Sequence, residues 1–235
     1  MGRGHTTSGS EWLDESVFSL LPKHLKADLV VAAVVQEFSR RQLLTIEGSQ
    51  RNYLWAIQSG FVLQTKQYGS GREATVAILG PRQIVGILGF WTADGFRLSS
   101  RALTGGSAIG VPVALARKLC EESSEFALLI GRQALARLDR AYDAIADAGH
   151  SRVEQRILAV LTSVGKDFGK RTACGMQLEV PLTRQDIADL AHTTVETAIR
   201  TLRSWEKAGY LATHERQISI LDLGGLRSFV APADG

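Results

Sequence analysis

The segment 181–221 constrains this 235-residue chain more tightly than any other. Pro181-Leu182-Thr183-Arg184-Gln185-Asp186 opens a helix, with Thr183 as N-cap and Asp186 three residues on. Ile187, Leu190 and Ala191 supply its buried face. After Ala191-His192-Thr193, a second capping box, Thr193-Thr194-Val195-Glu196, starts another helix. Ala198, Leu202 and Trp205 form the inward face of that second helix. Two short helices joined by three or four residues make a helix-turn-helix. Lys207-Ala208-Gly209-Tyr210 closes the second helix, and Tyr210–Thr213 with Gln217–Leu221 is expected to form a hairpin around His214-Glu215-Arg216. Helix, helix and hairpin together predict a winged helix.

With Ala198, Leu202 and Trp205 inward, the opposite face near the helix N-terminus carries Val195, Glu196, Ile199 and Arg200. Recognition helices reach base edges with this part of the helix. Arg200 can donate two hydrogen bonds to guanine O6 and N7, and Glu196 can accept from cytosine N4. Thr183, Thr194, Thr197, Arg203 and Arg216 suit contacts to the phosphate backbone. The expected partner is therefore double-stranded DNA. A plainer reading makes Glu196 and Arg200 an i,i+4 surface ion pair worth roughly 0.2–0.5 kcal/mol. The two readings coexist if such a pair orients both side chains.

Residues 11–38 read as helix, with Leu13, Val17, Leu20, Leu21, Leu25, Leu29 and Val30 at helical spacing and an interruption at Pro22. Between about 40 and 113, short apolar runs alternate with turn signals such as Glu47-Gly48-Ser49, Gly69-Ser70-Gly71, Gly80-Pro81 and Gly105-Gly106. That texture predicts an all-β sandwich or barrel. Residues 124–148 return to a helical pattern in which Leu128, Gly131, Leu135, Leu138, Tyr142 and Ile145 step by three and four. This stripe either packs on its own domain or forms an a/d seam between two copies. Its narrowness, flanked by Arg132, Arg137, Asp139, Arg140 and Asp143, favours a homodimer seam of Leu128, Leu135, Leu138, Tyr142 and Ile145. Gly149 can close the helix as a left-handed cap, and Ser151-Arg152-Val153-Glu154 can open the next, over 152–165. A hinge is expected at Ala148, Gly149 and His150, followed by loop and short strand over 166–180.

No apolar run approaches the ~18 residues that span a bilayer, and residues 1–10 (MGRGHTTSGS) lack the apolar centre of a secretory signal. Gly2 with Thr6 matches a myristoylation pattern, but a disordered terminus is the expectation. No membrane partner is expected. Two cysteines, Cys120 and Cys174, at no metal-ligand spacing point to a reducing, cytoplasmic setting without a bound metal. The pI near 9.0 invites a nucleic-acid reading, yet residues 149–216 carry ten Lys/Arg against eight Asp/Glu, a net of +2. Placement rather than bulk charge carries the argument. P-loop, G-x-G-x-x-G, H-E-x-x-H and G-x-S-x-G motifs are all lacking, so an enzyme is not expected. A competing class is a small-molecule-binding module without DNA-regulatory activity.

The stretch LTRQDIADLAHTTVETAIRTLRSWEKAGYL, 182–211, resembles the DNA-binding motif of the Crp/Fnr family of bacterial transcription regulators, and VETAIR matches its recognition-helix core. LWAIQSGFVLQ (54–64), Gly71-Arg72-Glu73 and VAILGPRQIVG (76–86) follow that family's β-roll, so the likeness covers roughly residues 15–225. It implies an α+β fold: an N-terminal cyclic-nucleotide-binding-like β-roll or jelly roll, a long dimerisation helix and a C-terminal winged helix-turn-helix. The implied domains are a disordered 1–10, an effector domain over 11–116, a dimerisation region over 117–148 and a DNA-binding domain over 149–235. It further implies a homodimer on a pseudo-palindromic operator with half-sites about one helical turn apart, and RNA polymerase as a partner if the protein activates. His192 replaces the small turn residue of the family, so its backbone is expected in the left-handed region.

Departures from the family pattern matter as much. Where cyclic-nucleotide-binding relatives carry Gly-Glu and Arg-Ser, this chain has Gly86-Ile87 and Arg97-Leu98, and their Thr-Ser pair falls on Ala141-Tyr142. Three of four polar contacts are lost, which argues against cAMP. The N-terminal cysteine cluster of the oxygen-sensing branch is lacking. A haem-sensing branch stays open, although His5, His24, His150, His192 and His214 all lie outside the β-roll. The apolar run around Ile84–Leu98 is either core or a pocket for a small apolar or aromatic effector. Ile87, Leu88, Arg97, Leu98, Arg101 and Tyr142 are the candidate lining, with Arg97 or Arg101 pairing to a carboxylate.

Overall fold

The computed structural model of the chain describes residues 12–13, 16–69, 71–91 and 95–231; of Arg72 and residues 147–150 the backbone alone is described. The expectations for residues 1–10 and for Gly2 and Thr6 lie outside the described residues. The chain divides into two compact units, Met1–Tyr142 and Asp143–Gly235.

In the first unit a 3-10 turn, Val17–Leu20, leads through Pro22 into helix α1, Lys23–Ala32. Eight strands follow: β1 Val34–Phe38, β2 Leu43–Thr45, β3 Tyr53–Ser59, β4 Val62–Tyr68, β5 Arg72–Leu79, β6 Ile84–Val85, β7 Ser99–Ala102 and β8 Gly106–Pro112. The interruption expected at Pro22 is present, but the helix expected to run on to residue 38 is corrected here. It stops at Ala32, and Val34–Phe38 pairs antiparallel with β8, Val34 opposite Gly110 and Phe38 opposite Gly106. The β-branched Val34 and Val35 continue the apolar helical rhythm, but a long-range strand partner overrides that local period.

The strands form two four-stranded antiparallel sheets, ordered β1-β8-β3-β6 and β2-β7-β4-β5. Phe38, Ile57, Val62, Leu79, Val85, Ala102 and Ala108 fill one buried cluster of this β-roll. A larger cluster joins Leu54, Ala56, Ile84 and Ile109 of the first sheet to Leu25 and Leu29 of α1. It also takes in Leu119 of helix α2 (Val113–Glu122) and Phe126 and Ile130 of helix α3 (Ser124–His150).

Helix α3 runs two residues beyond the expected end, with Gly149 still inside it, so Gly149 is not a terminal cap. One face of α3 docks on its own unit. Gln133 accepts from the Ile84 N–H at 3.0 Å and donates to the Arg82 carbonyl at 2.9 Å, satisfying backbone groups of the short edge strand β6. Another face exposes Leu128, Leu135, Leu138, Tyr142 and Ile145, each 45–70% accessible. The stripe is therefore not the face that packs on its own unit; Phe126, Ile130 and Gln133 do that instead.

The second unit opens with helix α4, Val153–Phe168, where Gln155 rather than Glu154 closes the first turn by accepting from the Arg152 N–H at 2.9 Å. Strands β9 Gly169–Thr172 and β10 Gly175–Leu178 follow as a hairpin, two strands where a loop and one short strand were expected. Helix α5 (Arg184–Leu190), helix α6 (Val195–Lys207), strands β11 (Leu211–His214) and β12 (Gln217–Ile220), and helix α7 (Leu223–Val230) complete the unit. Its sheet runs β11-β12-β10-β9. Ile157, Leu161, Leu178, Ile187, Ala198, Leu202, Trp205, Ile218 and Leu226 are buried.

Candidate nucleic-acid interface and effector cleft

Two caps define the helix-turn-helix. Thr183 Oγ1 accepts from the Asp186 N–H at 3.1 Å, while the Asp186 carboxylate accepts from the Thr183 N–H at 2.8 Å and its hydroxyl at 2.6 Å. The hydroxyl proposed for phosphate contact is thus engaged in holding α5. The second cap sits one residue later than expected, on Thr194, whose Oγ1 accepts from the Thr197 N–H at 3.2 Å. The reason lies in the turn: His192 adopts φ +49°, the left-handed region expected of it. The Thr193 N–H still reaches back to the Ala188 carbonyl at 2.9 Å, so Thr193 belongs to the turn and Thr194 is the first extended residue. Glu196 is consequently released from any capping duty.

On α6, Ala198, Leu202 and Trp205 are buried as the pattern requires. Glu196 and Arg200 are exposed, while Val195, Thr197 and Ile199 are half-buried. Glu196 and Arg200 form no ion pair with each other among the described residues. That outcome removes the plainer reading of them as a surface pair. Arg203 is exposed one turn further along. Arg216 is exposed at the wing tip, where a two-residue turn holds Glu215 at φ +46° and Arg216 at φ +72° between the paired His214 and Gln217. Two positive angles in sequence match the twist of a hairpin.

Sequence reasoning missed the fastener of this unit. Arg184 Nη2 donates to Glu206 Oε1 at 2.8 Å and to Thr213 Oγ1 at 3.1 Å, linking α5, α6 and the wing strand.

In the first unit, Gln64, Gly86, Leu88, Phe96, Arg97, Leu98 and Arg137 line a small, partly open cleft. Leu88, Arg97 and Leu98 are among the expected lining. Ile87 instead faces the apolar core, Arg101 is exposed on β7 and Tyr142 is exposed on α3. Gly86 takes φ +97°, and a Cβ there would lie 3.1 Å from the Phe96 ring, so the glycine brings the chain close under the cleft. Arg51 supports the same bend, donating to the Gly86 and Leu88 carbonyls at 3.3 and 3.0 Å.

The residue that α3 contributes to this cleft is Arg137. Its stem is partly exposed, but its guanidinium is buried against the β-roll and donates to the Ile84 carbonyl. Burial, reinforced by the neighbouring Arg140, pushes its pKa down to about 10. No carboxylate pairs with it among the described residues. Nearby, Gln64 Oε1 is buried without a hydrogen-bond partner, while its amide nitrogen donates to Ser100 Oγ at 3.3 Å. A buried cation without a counter-ion beside an unsatisfied acceptor is costly unless something polar fills the space.

Comparison with known proteins agrees with this division. A family model described as Crp-like helix-turn-helix domain matches residues 155–229, and one described as Cyclic nucleotide-binding domain matches residues 35–123. The chain is 24% identical over 190 residues to the "Global nitrogen regulator" of Nostoc sp., covering 80% of this chain and 85% of that protein. It is 25% identical over 211 residues to "Nitrogen fixation regulation protein FixK" of Azorhizobium caulinodans, covering 89% and 83%. Among solved structures, FixK2 from Bradyrhizobium japonicum superposes with a TM-score of 0.74 at 21% identity, covering 86% of this chain and 100% of that one. A CooA variant from Carboxydothermus hydrogenoformans gives a TM-score of 0.73 at 22% identity, covering 97% and 98%. These two structures establish the fold: a β-roll, a long helix and a winged helix-turn-helix.

Proposed function

We propose, since the chain belongs to the Crp/Fnr family of DNA-binding transcription regulators, that it acts as a cytoplasmic homodimer reading a pseudo-palindromic operator through Val195, Glu196, Ile199 and Arg200. The observation that carries this reading is the freedom of Glu196 and Arg200 on the outer face of α6, one turn apart and not engaged with each other. Arg200 reads guanine and Glu196 reads cytosine on the facing strand. Thr194, Thr197, Arg203 and Arg216 supply backbone contacts, with the Thr183 hydroxyl acting through its cap. The exposed stripe Leu128–Ile145 supports the homodimer, because an apolar a/d row of this length is stable in water only when covered. Such a dimer engages RNA polymerase where it activates. No turnover of a substrate is part of this reading.

The cleft lined by Leu88, Arg97, Leu98 and Arg137 is read as the effector site, and the effector as a compact molecule bearing a carboxylate or phosphate. The unpaired Arg137 and Gln64 Oε1 support this over a purely apolar ligand. The deciding experiment is fluorescence anisotropy on a duplex selected from a random library, at several salt concentrations. Sequence preference together with steep salt dependence is the expected result; equal affinity for every duplex overturns base readout by α6.

A further inference from the structure

Arg156, in the first turns of α4, donates from its side chain to three backbone carbonyls of the second unit. Its Nε donates to the Ala191 carbonyl at 2.9 Å and its Nη2 to the His192 carbonyl at 3.3 Å, both in the turn between α5 and α6. Its Nη1 donates to the Ser151 carbonyl at 2.8 Å, in the two-residue connection that leaves α3. No carboxylate pairs with Arg156 among the described residues, so the charge is directed at three carbonyls alone.

Two of those carbonyls lie at the C-terminus of α5, where unsatisfied carbonyls concentrate partial negative charge that a cation offsets. One of them belongs to His192, whose left-handed backbone has an intrinsic cost for a residue with a Cβ. The turn therefore needs an external hold, and the guanidinium supplies it. A lysine cannot reproduce this, because its ammonium is a point charge rather than a rigid planar fork of donors.

We propose that Arg156 is a positioning residue for base readout: one side chain fixes the turn that aims α6 and ties that turn to the connection following α3. The orientation of Glu196 and Arg200 is then set from position 151, through a single guanidinium. This rests on the DNA-binding role of α6 argued above.

The test compares wild type, Arg156→Lys and Arg156→Gln as full chains, each measured well below its own melting midpoint. Two readouts are taken: the ratio of affinities for the selected duplex and a scrambled one, and hydrogen exchange at the amides of residues 192–197. Arg156→Lys keeps the charge, so affinity for the scrambled duplex should change less than twofold. Affinity for the selected duplex should fall at least tenfold, with faster exchange confined to the turn and the start of α6. If Arg156→Gln unfolds, Arg156→Lys alone decides. A lowered melting midpoint with an unchanged affinity ratio and unchanged exchange would mean that Arg156 only stabilises the unit, and the proposal is overturned. A wild type without any duplex preference refutes the underlying DNA reading, which separates the two failures.

Discussion

Arg184 and Glu206 meet at 2.8 Å across the two helices of the helix-turn-helix, joining the first turn of α5 to the last turn of α6. Thr213 closes the group from the wing, donating from Oγ1 to Glu206 Oε1 at 2.5 Å. Each of the charged partners is 27% exposed, so the pair is partly shielded from water and salt. Removing either partner breaks the ion pair and leaves the other with its Thr213 bond alone. Arg184→Ala and Glu206→Ala should each lower stability by about 1–2 kcal/mol in urea denaturation. Because all three groups share one network, the double variant should lose clearly less than the sum. Full additivity would show that the contacts are independent.

Base readout by α6 has a positional signature. Arg200→Ala should cost roughly 1–3 kcal/mol on the selected duplex and relax the preference at one base pair of each half-site. Glu196→Ala should relax the neighbouring position. A uniform loss on all duplexes would make Arg200 a phosphate contact instead.

The α3 stripe predicts the oligomeric state. Leu135→Glu or Leu138→Glu places a charge in the proposed seam, where its burial is strongly disfavoured. Analytical ultracentrifugation should show dimer for the wild type and monomer for these variants, with operator binding lost in parallel. The exposed Arg132→Glu at the flank serves as control. Monomeric wild type at micromolar concentration excludes the seam.

Arg137 gives a pH-dependent prediction. The folded protein releases this proton near pH 10, whereas the unfolded chain holds it to higher pH. In the interval above pH 10 the unfolded state binds more protons, so stability from this group rises with pH; at neutral pH the buried charge is a standing cost. Arg137→Met should therefore melt above the wild type at pH 7, with the gap narrowing as pH climbs past 10. Thermal shift with small carboxylates and phosphates should raise the wild-type midpoint and leave Arg137→Met unmoved. An anion that stabilises both equally binds elsewhere.

Local chemistry along the chain determined the motif and the wing, because caps, apolar period and turn residues act over three or four positions, whereas the left-handed His192 was implied by the family resemblance. The inward Ala198, Leu202 and Trp205 and the outward Glu196 and Arg200 follow from helical geometry alone. The cap at Thr194 rather than Thr193 escaped, since Thr193 has a Glu three residues on and Thr194 has only Thr197, so the capping-box pattern points to the wrong residue and the path of the turn overrides it. The strand Val34–Phe38 escaped for a different reason: its apolar spacing fits a helix, and the partner that makes it a strand lies about seventy residues away in β8.

Tertiary structure alone decided which polar side chains matter. Arg137, Gln133, Arg184 and Arg156 read as ordinary surface residues along the sequence. Three of them, Arg137, Gln133 and Arg156, bind main-chain groups 35 to 53 residues away. A backbone amide or carbonyl is offered by nearly every residue, so it leaves no mark in the sequence, and only folding brings a particular one within reach.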